Sequence, residues 1–105
     1  MQGYLAQTNI NPDDMLQVAQ LYMNMSQPDS AADTLRASTQ RFPNDGRSYY
    51  SIAMIRASQN NVTEALPMLT KAIQLVPEFR AKAATEQVFG NLHGNPQFQQ
   101  LINSP

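Results

Sequence analysis

Apolar residues recur along the chain at the spacing of one helix face, i, i+3, i+4 and i+7, in short runs separated by polar breaks. Met15, Val18, Ala19 and Tyr22 form one stripe, and Tyr49, Ile52 and Ala53 form another. After the breaks "SQPD" and "QNNVT" come second stripes: Ala31, Leu35 and Phe42, then Ala65, Met68, Leu69, Ala72, Ile73 and Val76. The pattern predicts two helical hairpins, one after the other.

Their punctuation repeats as well. Set against each other, "DMLQVAQLYMNMSQPDSAADTLRASTQRFP" and "SYYSIAMIRASQNNVTEALPMLTKAIQLVP" pair Ala19 with Ala53, Ala31 with Ala65, Leu35 with Leu69 and Pro43 with Pro77, each 34 apart. Asn11 is expected to cap the first helix, with Pro12 at its first position, and Asp29 and Thr63 to cap the second helix of each hairpin. Asn60 falls in a tight turn that wants a left-handed residue. Pro43 and Pro77 end each unit, because proline cannot continue a helix and pushes the residue before it toward extended geometry. Pro67 looks misplaced; with Thr63 as cap it is the fourth residue, where its missing N–H costs one hydrogen bond at most. Its phase turns it away from the Ala65, Leu69 and Ala72 stripe, toward solvent.

A 34-residue helix-turn-helix unit with small residues on both helices and a closing proline resembles the tetratricopeptide repeat, over roughly residues 12 to 79. Ala19 and Ala53 match that family's small residue for close approach of its two helices, Ala31 and Ala65 its alanine at the start of the second, and Tyr22 its aromatic. Met15 and Tyr49 replace its usual tryptophan, Arg56 stands where an aromatic is expected, and Ser38 replaces the late alanine matched by Ala72. The resemblance implies an all-α fold of antiparallel helix-turn-helix units stacked as a short right-handed superhelix, with repeats at 12–45 and 46–79. Residues 80–105 then form a degenerate third repeat and cap, with a helical face in Ala81, Ala84, Val88 and Leu92 although Gly90 takes the aromatic's place. A last helix restarts at Asn95 and Pro96 and carries Phe98, Leu101 and Ile102. Residues 1–10 are either flexible or the remnant of a preceding helix, the latter making this a segment of a longer protein.

Composition narrows the function classes. The chain has 105 residues, 42% hydrophobic and 14% charged, which describes one globular domain. No apolar run approaches the ~20 residues of a membrane span, so direct membrane insertion by this segment is not expected. A net charge of -1 without a run of Lys or Arg lacks the phosphate-neutralising surface that nucleic-acid binding needs. Without cysteine there are no disulfides or thiolate sites, and both cytoplasmic and extracytoplasmic locations stay open.

Catalytic constellations are missing from the sequence. His93 is the single histidine and offers no metal-ligand spacing; Asp13-Asp14 suits the first turn of a helix better than acid-base work. There is no nucleophile elbow, and Gly3, Gly46, Gly90 and Gly94 never cluster as a phosphate loop. Neither an enzyme nor a cofactor or metal is expected.

Surface geometry says more. In the family this chain resembles, the first helix of each unit lines a concave groove. By helical phase the groove positions are Asp13, Leu16, Gln20 and Met23, then Arg47, Tyr50, Met54 and Ala57, then Ala84 and Val88. Leu16, Met23, Tyr50 and Met54 are apolar residues off the core stripe, suited to adaptable recognition. The expected site is therefore Leu16, Gln20, Met23, Arg47, Tyr50, Met54 and Val88, taking a mainly apolar peptide or protein segment with amide contacts from Gln20 and one acidic group near Arg47. The two-carboxylate clamp of the family's chaperone-tail binders is absent, since Leu16, Gln20, Tyr50 and Met54 occupy its places. Two alternatives stay open: the C-terminal helices or another domain of the same protein cover this patch, or the role is purely structural, the helices buttressing a neighbouring domain or pairing two copies as a homodimer through exposed helix faces.

Overall fold

The computed structural model describes residues 11–103. Its first helix, α1 (Pro12–Asn24), opens on a capping box in which Asn11 Oδ1 accepts the Asp14 N–H at 2.9 Å and Asp14 Oδ2 accepts the Asn11 N–H at 3.4 Å. Three more helices follow: α2 (Pro28–Arg41), α3 (Gly46–Ser58) and α4 (Val62–Leu75). Every boundary of the second pair lies 34 residues after its counterpart in the first (46 minus 12, 58 minus 24, 62 minus 28, 75 minus 41). The described residues contain helices and turns and no strand.

The turns repeat with the same offset. After α1 the N–H of Ser26 bonds Met23 O and that of Gln27 bonds Tyr22 O; after α3 the N–H of Asn60 bonds Ala57 O and that of Asn61 bonds Arg56 O. This double closure of a helix end requires a left-handed residue, and Ser26 (φ 59°) and Asn60 (φ 61°) supply it. At the other end of each hairpin, Phe42 N–H bonds Ser38 O at 2.7 Å and Val76 N–H bonds Ala72 O at 2.8 Å, before the prolines stop the chain.

Two expected caps are corrected. Pro28, whose fixed φ suits the first helical position, starts α2 one residue ahead of Asp29, and Gln27 precedes it without a side-chain hydrogen bond. Asn61, not Thr63, caps α4, accepting the Glu64 N–H at 3.3 Å. Pro67 is therefore the sixth helical residue (67 minus 61), in the second turn, and Thr63 C=O loses its usual i+4 donor. Pro67 is exposed as its phase predicts.

Asp29 has a different task. Its Oδ1 takes hydrogen bonds from Arg56 at 3.1 Å and Gln59 at 3.3 Å, tying the start of α2 to the end of α3. The Gln59 amide and then Arg56 hold its carboxyl below the usual range. Arg56 keeps its stem buried, and Nε lies 2.8 Å from Glu64 Oε1. That N–H is not aimed along the contact and has no hydrogen-bond partner, so the pair is ionic only. Arg36 shares the same carboxylate at 3.1 Å.

The core has two linked parts. Ala19, Ala31, Ala32 and Leu35 of the first hairpin bury Ile52 and Ile55 of α3, while the other side of α3 (Tyr50, Ala53, Ala57) meets Ala65, Leu69 and Ile73. Alanines at 0 to 4% exposure let the helices approach closely, and each Leu adds about 1.5–3 kcal/mol by burial. The shortest dimension, 19 Å, is two helix diameters, hence two layers.

The third unit departs from the first two. Helix α5 (Phe79–Thr85) stops at Glu86, extended at φ -71° and ψ 124°; a 3-10 turn (Gln87–Leu92) and α6 (Pro96–Asn103) follow. The buried side chains are Ala83, Phe89, Leu92 and Phe98, whereas Ala81 is exposed and Ala84 and Val88 are half-buried, correcting the single stripe expected there. The break is the reason: on either side of Glu86 the phase restarts. Asn95 caps α6, accepting from the N–H groups of Gln97 and Phe98 at 2.8 and 3.2 Å. Residues 1–10, expected to be flexible or a preceding helix, lie outside the described residues.

Candidate functional site

Between α1 and α3 runs an apolar groove with a cavity of about 300 Å³. Leu16, Gln20 and Met23 form the α1 wall at i, i+4 and i+7; Ser51, Met54 and Ser58 form the α3 wall at i, i+3 and i+7. Buried Ala19, Leu35 and Ile55 make the floor, and Val88 of the 3-10 turn closes one end. Leu16, Met23, Met54 and Val88 are half-buried, with apolar surface still open to water, and none of the lining residues is charged.

Five of the seven expected residues thus meet at one concavity: Leu16, Gln20, Met23, Met54 and Val88. The other two do not line it. Tyr50 is 4% exposed, its ring centroid 4.6 Å from that of Phe79 and 5.8 Å, edge on, from that of Phe89. Its hydroxyl donates to Glu86 Oε2 at 3.2 Å. Tyr50 as a ligand-facing residue is therefore corrected: the helix break at Glu86 lays α5 and the 3-10 turn across that part of α3. Burial first, and then the Glu86 charge, push the phenol well above its usual range.

Arg47 stays at the surface, with its guanidinium already matched. Nη1 donates to Asp13 Oδ1 at 2.6 Å, and Nε and Nη2 bond the two oxygens of Asp45 at 3.0 and 2.8 Å. Asp45 is also the N-cap of α3, accepting the Arg47 N–H at 3.0 Å. The fork drives the Asp45 carboxyl below its usual range and the Arg47 guanidinium above its own. Two carboxylates on one cation remove the reason to expect an acidic ligand group there.

Ser51 and Ser58 join the lining beyond the expected residues; both share the helical phase of Met54, three before and four after it, and carry no apolar signal that would mark them. The Ser58 hydroxyl donates to the Ile55 carbonyl at 2.6 Å, and Gln20 donates to Asn24 at 3.2 Å, so the polar rim is partly self-satisfied. The residues considered for chemistry have structural partners: Asp14 completes the α1 cap, Asp13 pairs with Arg47, and His93 stacks on Phe98 with centroids 5.4 Å apart. Among the described residues no three His, Cys, Asp or Glu side chains gather as a metal site, and no helix is long and apolar enough to cross a membrane. Compared with protein-family models, with curated proteins and with solved structures, the chain has no match in any of the three.

Proposed function

We propose that this chain is a non-catalytic protein interaction module of the tetratricopeptide type, part of a larger protein, that takes a mainly apolar peptide or protein segment in the groove between α1 and α3. The reading places repeats at 12–45 and 46–79 in a short right-handed superhelix, capped by 80–105. The observation that carries it is the lining itself: Leu16, Met23, Met54 and Val88 converge on one uncharged concavity and leave apolar surface in water. A pocket of this kind gains by desolvation, at roughly 25 cal/mol per Å² of apolar area covered. Two flexible methionines let it fit more than one side-chain shape, while Gln20, Ser51 and Ser58 offer amide and hydroxyl contacts to a peptide backbone at the edge.

The chemistry of the ligand follows from what the groove lacks. With Arg47 held by Asp13 and Asp45, charge recognition has no anchor, so the bound segment presents two or three apolar side chains on one face and keeps its charges outside. Phage-displayed peptides panned against the chain are expected to enrich Leu, Ile, Phe and Met at i, i+3 or i+4 spacing, and to lose binding to a Met54→Glu variant. Enrichment of acidic or basic motifs, or binders indifferent to Met54→Glu, would count against the reading.

A further inference from the structure

The closed end of the groove is built differently from its walls. The walls stand on α1 and α3, whereas Val88 belongs to the 3-10 turn (Gln87–Leu92) beyond the helix break at Glu86. A 3-10 turn repeats every three residues, so positions i and i+3 share one of three faces. On the first face Phe89 and Leu92 are fully buried. On the second, Val88 lines the groove and the Asn91 amide bonds the Asn60 side chain in the turn after α3. Gln87 and Gly90, on the third, are exposed. Where Val88 stands is therefore set by how the first face is seated.

That face is seated on Tyr50. The Tyr50 ring meets Phe89 edge-on with centroids 5.8 Å apart, and its hydroxyl donates to Oε2 of Glu86, the residue just ahead of the turn, at 3.2 Å. Lys82 Nζ also approaches Glu86 Oε2, at 3.6 Å, but Lys82 lies on α5 and ties Glu86 only to the helix before it. The link from Glu86 to α3 is the phenol. One turn further along α3, Met54 packs against the same aromatic cluster, and so does Val88, so the cluster that holds Tyr50 also backs two of the groove's lining residues. Contact energy falls steeply with separation: a gap of roughly 0.5–1 Å at Val88 would forfeit about a quarter to a half of its attraction for a bound side chain.

We propose that Tyr50 is a positioning residue of the groove: by holding Glu86 and Phe89 it fixes Val88, and through Val88 the fit of an apolar side chain at the closed end. The proposal rests on the groove reading above and deepens it, because Tyr50 acts on the ligand without touching it. An apolar peptide enriched by panning is titrated into the full chain and its variants, with binding read by calorimetry. Tyr50→Phe keeps the ring and the helical circular dichroism spectrum but removes the donor; it should weaken binding about three- to tenfold, the span of one net hydrogen bond. Val88→Ala should weaken binding comparably, and the double variant should bind no more weakly than Val88→Ala alone. Tyr50→Phe combined with Leu16→Ala, on the α1 wall, should instead show additive losses. Glu86→Gln, which keeps an acceptor for the phenol, should bind nearly as the unaltered chain does, and Glu86→Ala as Tyr50→Phe does. Unchanged binding in Tyr50→Phe, losses that add with Val88→Ala or couple equally to Leu16→Ala, or a Glu86→Gln chain as weak as Glu86→Ala would overturn the proposal, while peptide binding abolished by Met54→Glu would still uphold the groove. A chain that binds no such peptide would overturn both.

Discussion

Ser38 Oγ and Ser48 Oγ lie 2.9 Å apart, both fully buried, where α2 meets α3. They are the buried polar side chains among the described residues, and each is the other's hydrogen-bond partner. One period later Ser38 becomes Ala72, so an alanine fits this place in the repeat.

Either hydroxyl alone would be stranded. Ser38→Ala and Ser48→Ala are each expected to cost about 1–3 kcal/mol, the penalty for leaving a buried polar group unpaired. The double variant should cost clearly less than the sum, since it leaves nothing unsatisfied. Urea unfolding of the four proteins completes the cycle; additive losses would mean that the hydroxyls do not depend on each other.

Ser26 holds φ at 59° in the turn where the next unit uses Asn60. A left-handed backbone is costly for residues with a β-carbon and less so for asparagine or glycine. Ser26→Gly should therefore stabilise the chain by about 0.5–1 kcal/mol, read as a rise in melting temperature, while Asn60→Gly should bring no such gain, because asparagine already tolerates this backbone and its Oδ1 accepts from the Asn91 side-chain amide. A loss on Ser26→Gly would show that its side chain earns its place.

Gly46 sits where α3 begins against the end of α4. A β-carbon there would lie 2.8 Å from Val76 Cγ2 and 3.2 Å from the Ala72 carbonyl oxygen. Although alanine normally favours a helix, Gly46→Ala is expected to destabilise by about 1–3 kcal/mol through overpacking. Chemical denaturation measures it, and a gain in stability would show that the two helix ends part easily.

Tyr50 makes the fold sensitive to alkali. Its phenol is raised in the folded chain relative to the ordinary value of 10.0, by burial and by the facing Glu86 carboxylate. The contribution is present in full below about pH 10 and is lost as the pH rises beyond it, because the unfolded chain can then release a proton that the folded chain retains. Tyr50→Phe should cost about 1 kcal/mol at neutral pH and unfold with a flatter pH dependence above pH 10. Equal alkaline slopes for both proteins would contradict the burial of this phenol.

Much of this architecture is legible in the sequence, because the period appears in residues of different kinds. The apolar stripes place four helices, and Pro43 and Pro77 place their ends. The caps are less legible, since "QPD" and "NNVT" each offer competing starts. Proline at the first position decides for Pro28, and the left-handed turn takes Asn60 and frees Asn61 to cap. In the groove, helical phase is enough for Leu16, Gln20, Met23 and Met54, which sit on regular helices. It fails at Tyr50, whose surroundings depend on a bend at Glu86 that no proline or glycine announces.

The groove itself is tested most directly by the methyl groups that line it. With the methionines labelled at their methyl carbons, a panned apolar peptide should be titrated at a fixed protein concentration. The account predicts that the Met23 and Met54 methyl signals move together and saturate at one peptide per chain, while the signal of Met25, on the far face of α1, stays in place. Saturable movement of Met25 or Met68 with Met23 and Met54 unmoved would contradict it.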